Sequence, residues 1–270
     1  MSVSDFDFLM PSEEKLKELR ENHKKTSQTS PNRFEHWFNT VRKLNIPHPY
    51  TEMLDTPFEF SESMFSETTT VTKDFDGNTE AYLDKLASQV QDFGRRHGYP
   101  IFVRNSFTSG KHSWKDSCFI KEEESISAIK ERIYQLTELS MMGPGLAPLK
   151  LVLREFIDTK PAFHAFHGNT PITQEFRLFF DNGKPVKWQA YWPETSIQEP
   201  DCDDWKEKLK NISEPNDELM AKMKHYAKLV TEVLGGYWSV DFLIDNNGKP
   251  WLIDMADGHA SYTSKDAKIF

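Results

Sequence analysis

The sequence predicts an α+β fold, antiparallel hairpins flanked by helices. Asn-Gly turns stand between runs rich in alternating apolar residues, the strongest short-range hairpin signal. Other stretches space their apolar side chains three, four and seven apart, as amphipathic helices do. With 20 Phe, 8 Tyr and 7 Trp in 270 residues, the chain also has the material for a packed core.

Residues 12–25 read as a short charged helix, and TSQTSPN after them as a loop. NRFEHWFNTVRKL (32–44) puts Phe34, Trp37, Phe38 and Val41 on one helical face. The two prolines of IPHPYTEM force extended backbone. Residues 58–78 are rich in Ser, Thr, Glu and Asp, end in DGN, and mark the internal boundary. NTEAYLDKLASQVQDFGRRHGYP is a helix with Tyr82, Leu83, Leu86 and Val90 together, stopped at HGYP.

Strands and helices then alternate. IFVRNSF is a strand, TSGKHSW a glycine-bearing turn and DSCFIK a second strand. ESISAIKERIYQLTELSMM aligns Ile126, Ile129, Ile133 and Leu136; GPGLAP breaks it, and PLKLVLREFI is a third strand. ITQEFRLFFDNGKPVKWQAYW is a hairpin, DELMAKMKHYAKLVTEVLGG a helix closed by glycine, and YWSVDFLIDNNGKPWLIDMADG a second hairpin. This order divides the chain into an N-terminal helical segment (1–57) and two α+β parts, 58–155 and 156–270.

Charge and composition narrow the function. Thirty-three Lys and Arg against 42 Asp and Glu leave a net charge of −9, which argues against a general nucleic-acid-coating surface and still admits a local basic groove. No apolar run reaches 18 residues and the first twenty residues lack a signal-peptide pattern, so a soluble cytoplasmic protein without a membrane partner is expected. Cys118 and Cys202 are too few for a disulfide framework or a zinc site. The motifs of α/β hydrolases, zincins, Walker nucleotidases and dinucleotide-binding sheets are missing.

Three constellations carry chemistry. VDF (240–242) and LIDMAD (252–257) place an acid between apolar neighbours on each strand of one hairpin. Such acids are costly to bury, and a divalent cation sharing Asp241 and Asp254 with substrate phosphates would compensate them; a solvent-facing edge is the plainer alternative. FVRNSFTSGKHSW (102–114) delivers Arg104, a turn through Ser109 and Gly110 whose amides suit an anion, and then Lys111. LREFID and EFRLFF set Arg154 and Arg177 in strands, each facing a polar cleft or paired with Glu155 or Glu175. His164 and His167 in AFHAFH have ligand spacing for a helix, with no third ligand near.

Taken in order, FNTVRKLNIPHPYTEML, FGRRHGYPIFVRNSFTSGKHSW, KLVLREFID, QEFRLFFDNGKPV and GGYWSVDFLIDNNGKPWLIDMADG resemble the successive elements of the ATP-grasp superfamily over residues 32–262. FVRNSFTSGKHSW and WLIDMA further resemble a clade of small bacterial and phage ATP-grasp proteins and the eukaryotic assembly-chaperone family of initiation factor 2. The resemblance implies two α+β subdomains clamping ATP with Mg²⁺ or Mn²⁺. It implies Arg104 and Lys111, with Ser109 and Gly110, at the phosphates; Glu155, Phe156 and Ile157 at the adenine; and Asp158 at the ribose. It implies Arg177 beside the transferred phosphoryl group and Asp241 and Asp254 on the metal. Where the family usually has Glu with Asn two residues on, this chain has Asp254 and Ala256, and Asp257 could supply the missing oxygen. The function implied is an ATP-dependent carboxylate–amine or carboxylate–thiol ligase working through an acyl phosphate, on a carboxylate and an amine that the sequence does not identify. The alternative is an ATP-binding assembly protein with a protein partner and little turnover.

Overall fold

A computed structural model describes residues 12–66, 77–111, 114–167 and 170–270. Ser12 caps α1 (Glu13–Thr29) by accepting the Lys15 N–H, with Glu13 and Glu14 at the positive end of the helix. The helix continues through TSQT, expected as loop. Thr26 and Thr29 hydroxyls bond back to the Asn22 and Lys25 carbonyls, and buried Ser27 accepts the Ala147 N–H at 3.0 Å. That long-range contact overrides the weak local preference of hydroxyl side chains. Next, α2 (Phe34–Val41) buries Phe34, Trp37, Phe38 and Val41, the face its spacing predicts.

The first sheet joins β1 (Thr51–Asp55), β2 (Ile101–Asn105), β3 (Phe119–Ile120) and β4 (Lys150–Glu155) in the order β1-β4-β2-β3, all antiparallel. Helices α3 (Phe58–Ser66), α4 (Gly77–His97) and α5 (Ile126–Met142) cover one of its faces. Leu83, Leu86, Val90, Phe93, Ile129 and Ile133 close there on Ile101, Val103, Leu151 and Leu153. Each such side chain contributes about 1.5–3 kcal/mol by leaving water. The opposite face of β2 and β4 carries Phe102, Arg104, Val152 and Arg154.

The stretch expected as a boundary begins instead as α3, because Phe58, Phe60 and Met64 bury their side chains. Its remainder, residues 67–76, lies outside the described residues. Strand β1 precedes residue 57 yet hydrogen-bonds to β4, while α2 packs against the second sheet.

After β4, a two-stranded ribbon of β5 (Phe163–Ala165) and β6 (Thr170–Ile172) precedes β7 (Glu175–Asp181) and β8 (Lys184–Ala190). AFHAFH is therefore strand and turn, not helix. His164 pairs with Asp201 at 3.1 Å and His167 with Glu199, so neither waits for a metal. Asn182 and Gly183 both have positive φ, 47° and 78°, as the tight Asn-Gly hairpin turn requires. Helices α6 (Trp205–Ile212) and α7 (Asp217–Leu234) follow, then β9 (Tyr237–Ile244), β10 (Pro250–Asp257) and β11 (Lys268–Ile269).

The second sheet has the order β10-β9-β7-β8-β11. Phe176, Leu178, Val240, Phe242, Leu252 and Met255 point to one side, against Met223, Ala227 and Val230 of α7 and the aromatics of α2. Its other side looks across a cleft at the uncovered face of the first sheet. Among the described residues no helix is long and apolar enough to cross a membrane.

Candidate functional site

On the cleft side of the second sheet one cross-strand row crosses four strands. Asp254 of β10 stands opposite Asp241 of β9, Asp241 opposite Arg177 of β7, and Arg177 opposite Gln189 of β8. A β-bulge between Leu252 and Asp254 makes this row. In strict alternation Asp254 would share the buried side with Leu252, and the extra residue, Ile253, turns it into the cleft. Asp257 follows at an odd spacing and pairs with Trp238 on the helix-covered side. It is not a third carboxylate beside Asp241 and Asp254. Ala256 holds the cleft-side position, opposite Ser239.

Arg177 grips Asp241 with both arms, Nε to Oδ1 at 2.8 Å and Nη2 to Oδ2 at 2.7 Å. Burial works against the Arg177 charge, but Asp241 outweighs it and raises the guanidinium above its ordinary range. The sequence offered Glu155 or Glu175 as partners for the two strand arginines, and neither takes that part. Glu155 Oε1 accepts the Tyr50 N–H at 2.8 Å. Buried Glu175 collects Trp192 Nε1 at 3.1 Å, Thr173 Oγ1 at 3.2 Å and Lys111 Nζ at 3.5 Å. Lys111 also lies 3.6 Å from the centre of the Tyr191 ring, and Arg177 lies 4.9 Å from the same centre. Burial alone would lower the Lys111 ammonium, and Glu175 then Tyr191 more than reverse that.

The first sheet contributes its own cations. Arg104 Nη1 reaches across to Asp254 Oδ1 at 2.9 Å, and Arg104 Nε donates to the Asn105 carbonyl. Arg154 donates Nη1 to the Ile253 carbonyl at 2.7 Å, and its Nε and Nη2 have no acceptor among the described residues. Burial, and after it the neighbouring Arg104, push the Arg154 guanidinium well below the ordinary arginine range.

The loop after β2 is tied from within. Asn105 Oδ1 accepts the N–H groups of Phe107 and Thr108, both at 2.9 Å, and its Nδ2 donates to the Leu136 carbonyl. The Gly110 N–H is spent on Thr108 Oγ1. These amides therefore shape the loop rather than form an open anion nest, leaving Ser109 and Lys111 to face the cleft. Gly110 has φ +62°, and a Cβ there would stand 2.6 Å from Ser117 Oγ. Residues 112 and 113 of the same segment lie outside the described residues.

The cleft between the sheets has an empty volume of about 770 Å³, open solvent at its mouth included. Arg104, Ser109, Lys111, Glu155, Phe156, Ile157 and Asp254 line it. Asp241 and Arg177 adjoin it through the cross-strand row, and Gly110 through the loop. Asp158 is not in the lining; its carbonyl accepts the Asn246 N–H. Away from the acids the cleft ends in an apolar slot. Trp114 stacks on Phe119 at 5.5 Å, Phe156 meets Phe119 edge-on at 5.2 Å, and Phe102 is 5.7 Å from Trp114.

Sequence reasoning missed three parts of the lining: Glu175, Trp192 and the Trp114 wall. The signal for Glu175 was present in EFR, an acid beside Phe176, but it was read only as a partner for arginine.

The profile of a family described as an ATP-grasp domain, family 3 of its clade, matches residues 89–269. Among solved structures, C-terminally truncated Cdc123 from Schizosaccharomyces pombe is 12% identical, with 83% of this chain and 82% of that chain covered and a TM-score of 0.52. A D-alanine–D-alanine ligase from Bacillus anthracis complexed with ATP is 11% identical over 86% of this chain and 55% of that chain, with a TM-score of 0.44. An N5-carboxyaminoimidazole ribonucleotide synthetase from Thermotoga maritima is 9% identical over 83% of this chain and 41% of that chain, with a TM-score of 0.42. The chain thus spans about half the length of the two enzymes. No curated protein matches the sequence.

Proposed function

The chain belongs to this ATP-grasp domain family and has the ATP-grasp fold; from that premise we propose that it is an ATP-dependent carboxylate–amine or carboxylate–thiol ligase. The observation that carries the reading is the row Asp254–Asp241–Arg177 facing Arg104 and Lys111, with an aromatic slot at the far end of the same cleft. Such a site has one end for a base, a middle for phosphates and an acidic end for a cation. In this reading 58–155 and 156–270 act as the two jaws.

The residues fit the groups that the family implies. Phe102, Trp114 and Phe156, with Phe119 packed against the last two, offer ring faces to adenine, and Glu155 and Ile157 line the cleft beside them. Asp158, next in the chain but outside the lining, would have to turn in to reach the ribose. Arg104, Ser109 and Lys111 would hold phosphate oxygens. Asp241 and Asp254 suit Mg²⁺ or Mn²⁺, hard cations that take two carboxylates and complete their shell with phosphate and water. No cluster of three or more His, Cys, Asp and Glu occurs among the described residues, so a cation sharing ligands with a triphosphate fits better than one in a closed cage. Bound there, the metal would supply charge neutralisation on the transferring phosphoryl group.

Arg177 is the residue given the catalytic role. It sits between Asp241 and Tyr191, where a planar cation can follow charge as it moves on to the leaving and accepting oxygens. The γ-phosphoryl group passes to a carboxylate oxygen, ADP leaves, and an amine or thiol then attacks the acyl carbon and releases phosphate. The segment 186–217 supports a substrate wall over a docking patch, since Trp192 is 5% exposed and lines the cleft while Trp205 packs beside Phe163.

A second reading, an ATP-binding assembly protein, is favoured by one observation. Both acids are held by arginines, so ATP and metal must first displace two ion pairs, a change suited to clamping. ADP release separates the readings, measured with and without pools of amino acids, short peptides, polyamines and thiols, with hydroxylamine to trap acyl phosphate. The ligase gives acceptor-dependent ADP release that Arg177→Ala abolishes with a smaller loss of ATP affinity. Silence with every pool, alongside intact binding of ATP, would support the assembly protein.

A further inference from the structure

Arg154, beside the phosphate-facing Arg104, makes a charge imbalance that the metal-nucleotide reading does not use. Phe102 stands opposite Arg154 across the β2–β4 pair, and Arg104 opposite Val152, so both arginines leave the same face of the sheet. Their guanidinium carbons lie 4.9 and 5.3 Å from the centre of one ring, Phe34, which α2 inserts beneath them. Among the described residues Asp254 is the carboxylate bonded to the pair; it reaches Arg104 and not Arg154, and its Oδ1 also accepts the Met255 N–H. Glu155, next in sequence to Arg154, is turned toward the Tyr50 amide. Arg154 itself is 3% exposed, lines the cleft, and leaves Nε and Nη2 without an acceptor among the described residues.

A buried guanidinium with two unmet donors is costly, and a lone contact to a carbonyl does not cancel its charge. The protein retains two guanidinium groups beside one ring and, counted against Asp254, a surplus of one positive charge in the cleft between its sheets. Two neighbouring guanidinium groups can share the several oxygens of one tetrahedral oxyanion, whereas one fork alone satisfies a flat carboxylate. We propose that Arg104 and Arg154 form a subsite for one phosphoryl group that works without a metal ion. The group is either a phosphate of the bound nucleotide or inorganic phosphate; the assignment rests on the reading of this cleft as a nucleotide site.

The test is thermal unfolding and titration calorimetry of the full chain in EDTA. The ligands are inorganic phosphate, tripolyphosphate and ATP, with acetate and chloride at matched ionic strength. The expected result is a rise in melting temperature with the phosphate compounds and none with acetate or chloride. Binding of inorganic phosphate identifies free phosphate as an occupant; binding of tripolyphosphate and ATP alone identifies the nucleotide chain. In either case Arg154→Met weakens that binding at least tenfold, while the ligand-free variant melts at or above the parent temperature because a buried unpaired charge has gone. Should Arg154→Met not fold, Arg154→Lys serves instead, and it should weaken phosphate binding with little change in melting temperature.

Acetate stabilising as well as phosphate would overturn the proposal. So would no phosphate binding in EDTA beside normal Mg·ATP binding, or an Arg154→Met chain that is destabilised yet binds phosphate like the parent. Failure of ATP to bind with or without Mg²⁺, while phosphate still binds in EDTA, would sink the nucleotide reading and leave the anion subsite standing.

Discussion

Asp241 and Asp254 face each other across one strand pair but stand in different surroundings, and their substitutions should part accordingly. The Asp254 side chain is 34% exposed and holds one nitrogen of Arg104, whereas that of Asp241 is 6% exposed and holds Arg177 bidentately. Asp254→Asn should therefore keep nearly the parent stability in urea unfolding and lose most of the gain that Mg²⁺ adds to ATP binding. Asp241→Asn should lose that gain too and also destabilise the fold by about 3 kcal/mol or more, because it strands a buried guanidinium. Equal stabilities for the two variants would contradict this ranking. The cysteines also differ. Burial pushes the Cys118 thiol up to about 12, so at pH 8 only about one part in ten thousand is thiolate. Mass spectrometry after brief alkylation at pH 8 should find Cys202, which is partly exposed, modified well before Cys118; Cys118 should become reactive only on unfolding.

The loop from Asn105 to Lys111 is the element on which the cation side of the cleft depends. One side chain, Asn105, fixes two loop amides and anchors the loop to Leu136 of α5, so Asn105→Ala should cost about 1–3 kcal/mol and impair ATP binding together. Gly110→Val puts a branched side chain in a left-handed conformation and against Ser117 and Leu136, for a loss on the order of 1–2 kcal/mol or more. Urea unfolding measures both. The hairpins and long helices were legible in the sequence because each follows a local rule: Asn182-Gly183 for the turn, three-four spacing for α4 and α5, and a closing glycine for α7. The TSQT extension of α1 and the buried helix α3 were not, since the first rests on a contact with Ala147 and the second on partners across the sheet. The β10 bulge was also hidden. A period-2 reading left Asp257 as a candidate ligand, and one extra residue decides which acids share a side.

At the scale of the whole molecule, the described residues build three cores, one on each large sheet and a smaller one around β5, β6 and α6, and leave the inner faces of the two large sheets to form the cleft. The identity of several lining residues was legible because charged side chains in apolar strands, Arg104 and Asp254, have few places to go. Their partners were not legible. Arg104 meets Asp254 from 150 residues away, and the engagement of Glu175 with Lys111 and Trp192 depends on how β7 lies against the first sheet. Mg·ATP at about a hundred times its dissociation constant should stabilise such a clamp by roughly 2.7 kcal/mol. The most direct measurement is calorimetric titration of ATP into the protein with excess Mg²⁺ and again in EDTA, on the parent and on Asp254→Asn. At least tenfold tighter binding with Mg²⁺ in the parent, and near-equal affinities under the two conditions in Asp254→Asn, is the predicted result. ATP affinity in the parent that ignores Mg²⁺, or a variant that keeps the full Mg²⁺ gain, would contradict it.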